Sequence, residues 1–206
     1  MTDCNLLAGP QAIADTIRHL DAEDVAAVPL LDTAACGVLA AESLRLPGWR
    51  PARPVVGEGA ATVYQDFELT VDIPPGSAVR ALGDALESTI AAALAMLDPS
   101  TLPGGFRVND YIVQRYPVGS AGMSPHRDHV RYVGLVAIVV VQGAGRFMVC
   151  ADRAGTGSRE IPSRPGDLLL MRAPGLFGRR DRPFHYVRDI AEERIILGLR
   201  QESGRP

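Results

Sequence analysis

Cysteine is scarce in this chain of 206 residues: Cys4, Cys36 and Cys150 are widely spaced and odd in number. That argues against a disulfide framework and against a Cys-rich zinc site, and a reducing cytoplasm is the expected location. Tryptophan occurs once, as Trp49, so a multi-base aromatic stacking platform for nucleic acid is poorly supported. No run of about 18 or more apolar residues is present, which argues against a membrane span. Met1-Thr2-Asp3-Cys4 has neither a basic segment nor an apolar one after it, so no secretory leader is expected. Lysine is absent, and all 21 basic residues are arginine.

What is present fits a soluble globular protein with a core of its own: 47% hydrophobic and 22% charged residues. The net charge of −3 hides an asymmetry. Residues 1–100 hold 5 Arg against 14 acidic residues, whereas residues 146–200 hold 11 Arg against 7. The basic half could receive an anionic substrate, or its arginines could simply be solvated. The acidic half and a pI near 5.8 argue against a large phosphate-binding footprint.

Apolar spacing predicts helices over 10–20 (Ile13, Ile17, Leu20), 33–44 with Thr33 as N-cap, and 78–97 (Leu82, Leu86, Ile90, Leu94). Residues 25–31 read as a short strand, 47–59 as a Pro/Gly-rich loop, and 61–71 as one or two strands. From Phe106 the pattern changes to short β-branched runs: 107–116, 133–142, 146–151, 158–161, 167–172, 184–190 and 194–200. Such a series predicts an antiparallel sandwich or barrel of the jelly-roll type, with the helix at 78–97 packed outside one sheet. The whole chain, 1–206, is expected to be one domain, with 1–105 as support and 106–201 as the core barrel.

Within that series lies Ser124-Pro125-His126-Arg127-Asp128. On a strand, residues i and i+2 share a side, so His126 and Asp128 face one way and Arg127 the other. His185 sits in a later run, Pro183-Phe184-His185-Tyr186-Val187, which a barrel can bring alongside. Two imidazoles and one carboxylate on one face of a metal match the ligand set of non-haem Fe(II) oxygenases. Zinc takes similar sets, but a zinc hydrolase has no use for Arg194, which follows His185 and suits a bidentate carboxylate grip. His129 would face away from the metal.

With these motifs the chain resembles the Fe(II)/2-oxoglutarate-dependent dioxygenase superfamily over about 106–201, with features of its AlkB-like subgroup. Gln114-Arg115-Tyr116 precedes His126 as an Arg-Tyr pair does in that subgroup. Arg194 and Arg200 match its Arg-x5-Arg spacing, and Arg164-Pro165-Gly166-Asp167 resembles its glycine-aspartate turn. The resemblance implies a mainly β fold with supporting helices, a double-stranded β-helix (a jelly-roll or cupin-like barrel). It implies Fe(II) on His126, Asp128 and His185, 2-oxoglutarate on Arg194, and O2 as the third reactant. It also implies Tyr116 and Gln114 near the cosubstrate and Arg200 near cosubstrate or substrate.

The implied activity is a dioxygenase hydroxylating a small molecule, such as an amino acid or secondary metabolite, with release of succinate and CO2. Asp128 occupies the position that halogenating relatives leave to halide, which favours hydroxylation, demethylation or desaturation. An AlkB-like oxidative demethylase of nucleic acid or nucleotides is the alternative; Ile196 and Gln114 stand where that subgroup usually has Asn. A ligand-binding barrel without turnover is a third reading. The expected partner is a small, anionic substrate. Candidate residues at the barrel mouth are Met123, Arg127, Arg131, Tyr132 and Arg172, and the basic loop 174–182 could clamp an anion or be solvated.

Overall fold

A run such as Tyr132–Gln142, apolar on both faces, needs cover on both sides. The computed structural model, which describes residues 6–204, supplies it with helices on one face and a second sheet on the other. Cys4 and the N-terminal Met1-Thr2-Asp3 segment lie outside the described residues.

The chain opens with α1 (Pro10–Glu23), β1 (Val25–Pro29) and α2 (Thr33–Ser43). Four short strands follow, β2 (Arg50–Pro51), β3 (Val55–Val56), β4 (Val63–Asp66) and β5 (Glu68–Thr70), then α3 (Ala78–Leu94). The remainder is β6 (Asp110–Tyr116), β7 (Gly122–His126), β8 (Tyr132–Gln142), β9 (Arg146–Cys150), β10 (Arg159–Ile161), β11 (Asp167–Arg172), β12 (Phe184–Arg188) and β13 (Arg194–Glu202). One sheet has the order β1-β11-β8-β13-β6-β5-β2 and the other β10-β9-β12-β7-β4-β3. The pairings are antiparallel. Strands β6 to β13 divide equally between the two sheets, β6, β8, β11 and β13 in one and β7, β9, β10 and β12 in the other, and form the jelly roll; β1, β2, β3, β4 and β5 extend its edges.

Period-two alternation sorts the long strands. Leu135, Ala137, Val139, Leu168, Leu170, Ile195, Leu197 and Leu199 face the helices. Val136, Ile138, Val140, Leu169, Met171 and Ile196 face the space between the sheets. The helices close the outer face with the stripes that their spacing foretells: Ile13, Ile17 and Leu20 from α1, and Leu82, Leu86 and Ile90 from α3. Each such side chain contributes about 1.5–3 kcal/mol when fully buried. Gly83 lets α3 sit close on β6, since a Cβ there would meet the Tyr111 ring at 2.6 Å.

Two expectations are corrected. Asp32, not Thr33, caps α2, its carboxylate accepting the Ala35 N–H at 2.8 Å. The 47–59 loop contains the two-residue strands β2 and β3, too short to leave a periodic pattern. The segment 61–71 forms two strands, as its pattern allowed, and these divide between the sheets, with Phe67 at the corner between β4 and β5.

Candidate metal centre and active site

His185 on β12 lies directly opposite His126 on β7 in the ladder, so both rings point into the barrel from one face of the sheet. Their ring centroids are 4.2 Å apart, and Phe147 stacks on His185 at 5.5 Å. Asp128 is not on a strand: β7 ends at His126, and the carboxylate comes from the loop just beyond it. The expectation of two ligands on one strand is corrected to that extent, but the side chains converge. One carboxylate oxygen is 3.8 Å from His126 Nε2 and 3.9 Å from His185 Nε2. Among the described residues, these three form the one His/Cys/Asp/Glu group with ligand atoms all within 4.8 Å of one another.

The donor set suits a metal ion. His126 Nδ1 lies 2.9 Å from the Ser124 carbonyl and His185 Nδ1 3.4 Å from that of Pro183. A carbonyl can only accept, so each Nδ1 carries the proton and each Nε2 is left bare toward Asp128. Burial first, then the neighbouring His185, pushes His126 down to about 4, which keeps the ring in the neutral form a metal needs. Burial works to raise Asp128, but His185, His126, Arg200 and Arg182 together hold its carboxyl below the usual range.

The centre opens into a cavity of about 310 Å³. Gln114 and Tyr116, on the inward side of β6, line it, while Arg115 faces outward and pairs with Glu193 at 2.6 Å. Tyr116 is buried, which raises its hydroxyl pKa, and that hydroxyl donates to Gln114 Oε1 at 3.3 Å. Arg200 also lines the cavity, gripping Asp110 at 2.6 and 2.8 Å and lying over the Tyr132 ring.

Arg194 is placed deeper than the sequence suggested. It is 1% exposed, opposite Tyr116 in the ladder, and is not among the residues lining the cavity. Its Nη1 donates to the Gly145 carbonyl at 2.8 Å and its Nη2 reaches Ser163 Oγ at 3.5 Å. Among the described residues, its Nε has no partner and no carboxylate pairs with it. An uncompensated buried guanidinium is costly.

Of the mouth candidates, Met123, Arg131 and Tyr132 line the cavity. Arg127 lies over Phe184 on the outside. Arg172 is fully buried and bound to Asp24 and Asp181, so it serves the fold rather than the mouth. His129 is exposed and accepts the Arg131 N–H, away from the metal set. In the basic loop 174–182, Arg179 pairs with Asp181, which also pairs with Arg172, and Arg182 donates to the Asp128 carbonyl. Sequence reasoning missed Arg50 and Asp110, and took Arg182 only as part of the basic loop 174–182. Asp110 could have been found from its period-two relation to Gln114; Arg50 left no signal.

No protein-family model matches the chain, and no curated protein matches it. Solved structures do. A prolyl hydroxylase from Trichoplax adhaerens, in complex with a hypoxia inducible factor peptide fragment, superposes with a TM-score of 0.69 at 12% identity, over 94% of this chain and 90% of that one. A Pseudomonas putida prolyl-4-hydroxylase gives 0.65 at 17% identity, over 92% and 98%. An oxidoreductase of the 2OG-Fe(II) oxygenase family from Burkholderia pseudomallei gives 0.61 at 18%, over 96% and 91%.

The chain has the 2-oxoglutarate/Fe(II) oxygenase fold.

The oxygenase fold is the double-stranded β-helix that the family resemblance implied, and the antiparallel jelly roll that the strand spacing led us to expect. β7 and β12 are neighbours in one sheet, which is what unites His126 with His185. Among the described residues, no helix is long and apolar enough to cross a membrane.

Proposed function

We propose that this protein is an Fe(II)- and 2-oxoglutarate-dependent dioxygenase that hydroxylates a small molecule carrying an anionic group. The observation that carries the reading is the convergence of His126, Asp128 and His185, with both imidazoles presenting bare Nε2 atoms to one carboxylate. In this reading the chain acts as one catalytic domain. Fe(II), 2-oxoglutarate and O2 supply the oxidising chemistry, with succinate and CO2 as by-products.

The protein's own side chains do the rest. His126, Asp128 and His185 hold the metal on one face and leave the other open. Arg194 anchors the distal carboxylate of the cosubstrate, supported by its burial and, among the described residues, its lack of a carboxylate partner and its unpaired Nε. This requires Tyr116 to yield, because that ring lines the cavity whereas Arg194 does not. Gln114 and Tyr116 orient the cosubstrate. Phe147, Ile138 and Ile196 keep the inner wall apolar and exclude water.

The anionic preference comes from the outer wall. Arg50, Arg131 and Arg200 line the cavity; Arg200 is committed to Asp110, and Asp128 to the metal set. Arg50 has no side-chain partner among the described residues. It is exposed at the cavity wall, where it can meet a carboxylate.

A second reading is favoured by one observation. A groove of about 540 Å³, lined by Pro51, Tyr64 and Ser124 among others, meets the cavity at Gln65 and Phe67. A peptide could lie there with one residue in the cavity, as in an oxygenase acting on proline within a chain. The AlkB-like alternative gains no comparable support: Arg115 of the Gln-Arg-Tyr triplet is engaged outside the barrel.

The test is succinate formation from 2-oxoglutarate with Fe(II) and ascorbate, using panels of free amino acids and of proline-containing peptides. Substrate-stimulated succinate that is abolished in His126→Ala and Asp128→Ala supports the proposal. No 2-oxoglutarate binding and no succinate with either panel would remove it.

A further inference from the structure

Asp128 poses a mechanical problem. It lies beyond the end of β7, so no strand ladder holds its backbone, yet its carboxylate must keep its distance to two imidazoles on paired strands. One side chain addresses this directly. Arg182, half-buried and three residues before His185, donates from Nη1 to the main-chain carbonyl of Asp128.

Arg182 is itself held. Its neighbour Asp181 accepts from Arg172 at 2.8 and 3.0 Å and from Arg179 at 3.1 and 3.2 Å. Arg172, fully buried on β11, also binds Asp24 at the end of α1 at 2.5 and 2.9 Å and the Asp181 carbonyl at 2.8 Å. Pro183 follows Arg182 and restricts it to extended backbone. A continuous set of charge-assisted bonds therefore runs from α1 through β11 to the loop before β12, and ends on the main chain of Asp128.

We propose that Arg182 is a positioning residue for the metal centre, fastening the loop that carries Asp128 to the segment that carries His185 so that the ligands are spaced before metal arrives. The proposal rests on the metal reading of His126, Asp128 and His185. Arg182 touches no reacting atom. It acts on the carboxylate ligand through that ligand's backbone, as outer partners of metal ligands do, and its charge also favours the ionised carboxylate.

The experiment is Co(II) binding to the full chain, followed by calorimetry and by the visible d–d bands, alongside thermal melts of the metal-free protein. The variants are Arg182→Met, Arg182→Lys and Arg180→Met, the last being an exposed arginine of the same loop. Removal of an outer partner typically weakens metal binding by about 10–100-fold. The expected result is a loss of that order in Arg182→Met, with altered d–d bands, partial recovery in Arg182→Lys and wild-type affinity in Arg180→Met. Metal-free melting of Arg182→Met should stay close to that of Arg180→Met. Wild-type Co(II) affinity in Arg182→Met overturns the proposal. So does a loss matched by an equal fall in metal-free stability and not recovered by lysine, which would make Arg182 a support of the fold. A wild-type protein that binds no Co(II) defeats the metal reading itself, and the role of Arg182 with it.

Discussion

Two arginines, both 1% exposed, should respond in opposite ways to the same substitution. Arg172 has every guanidinium nitrogen satisfied by Asp24 and Asp181. Among the described residues, Arg194 has a carbonyl at 2.8 Å, a distant hydroxyl, an orphaned Nε and no carboxylate. Replacing Arg172 with Met breaks charge-assisted bonds to two aspartates. Breaking a fully buried pair costs about 3–5 kcal/mol. Here Asp24 and Asp181 keep 38% and 55% of their side-chain exposure, so solvent takes up part of the loss. That leaves about 2–3 kcal/mol, or roughly a 4–12 °C lower Tm for a chain this long.

Replacing Arg194 with Met loses one charged hydrogen bond of about 1.5–3 kcal/mol. The same change relieves an orphaned donor worth about 1–3 kcal/mol, and the burial of an unpaired charge as well. The net effect on the metal-free, cosubstrate-free protein should be near zero or stabilising. The cost should appear only with ligand. At about 100 times its Kd, 2-oxoglutarate adds roughly 2.7 kcal/mol to a protein that binds it. The wild type with Mn(II) should gain that increment, and Arg194→Met should not. Differential scanning fluorimetry with and without 2-oxoglutarate reads all four numbers. If Arg194→Met is destabilised as much as Arg172→Met, or still gains stability from 2-oxoglutarate, the assignment of Arg194 is wrong.

Further outcomes are open to direct measurement. Gly122 has φ +76° at the irregular register between β7 and β12, and a Cβ there would collide with the Val187 carbonyl; Gly122→Ala should cost several kcal/mol, about 3 or more, and lower metal affinity with it, read from chemical denaturation and Co(II) titration. Hydrogen bonds from Arg172 and then Arg179 push Asp181 down to about 2 from an ordinary 3.8. Its folded-state value is the lower one, so its contribution is present above about pH 4 and lost as pH falls toward 2. Asp181→Asn should therefore flatten the fall in Tm over that window, and an unchanged slope would contradict the pairing. Arg50→Gln should raise KM for a carboxylate-bearing substrate several-fold, within about a ten-fold range, and leave an amide-capped analogue unaffected; equal effects on both would remove Arg50 from substrate recognition.

Much was legible in the sequence because it is local. The alternation along β6, β8, β11 and β13 and the four-residue spacing in α3 each require only neighbours in the chain to assign a face. The residue types at 126, 128 and 185 named the chemistry without coordinates. Edge strands β2 and β3 were lost because two residues carry no period. Asp128 was placed on a strand because alternation cannot show where a strand ends.

Sequence alone determined which side chains could bind metal and which faces of the strands had to be covered, since both follow from residue type and short-range spacing. Only the tertiary structure decided the partners of the arginines. Arg172 meets Asp24 from 148 positions away, Arg182 finds a backbone carbonyl 54 positions back, and Arg194 is left without an acid among the described residues. A guanidinium looks the same in any sequence. Whether it stabilises the fold, orders a ligand loop or waits for a ligand depends on which carboxylates and carbonyls the two sheets bring within about 3 Å of it.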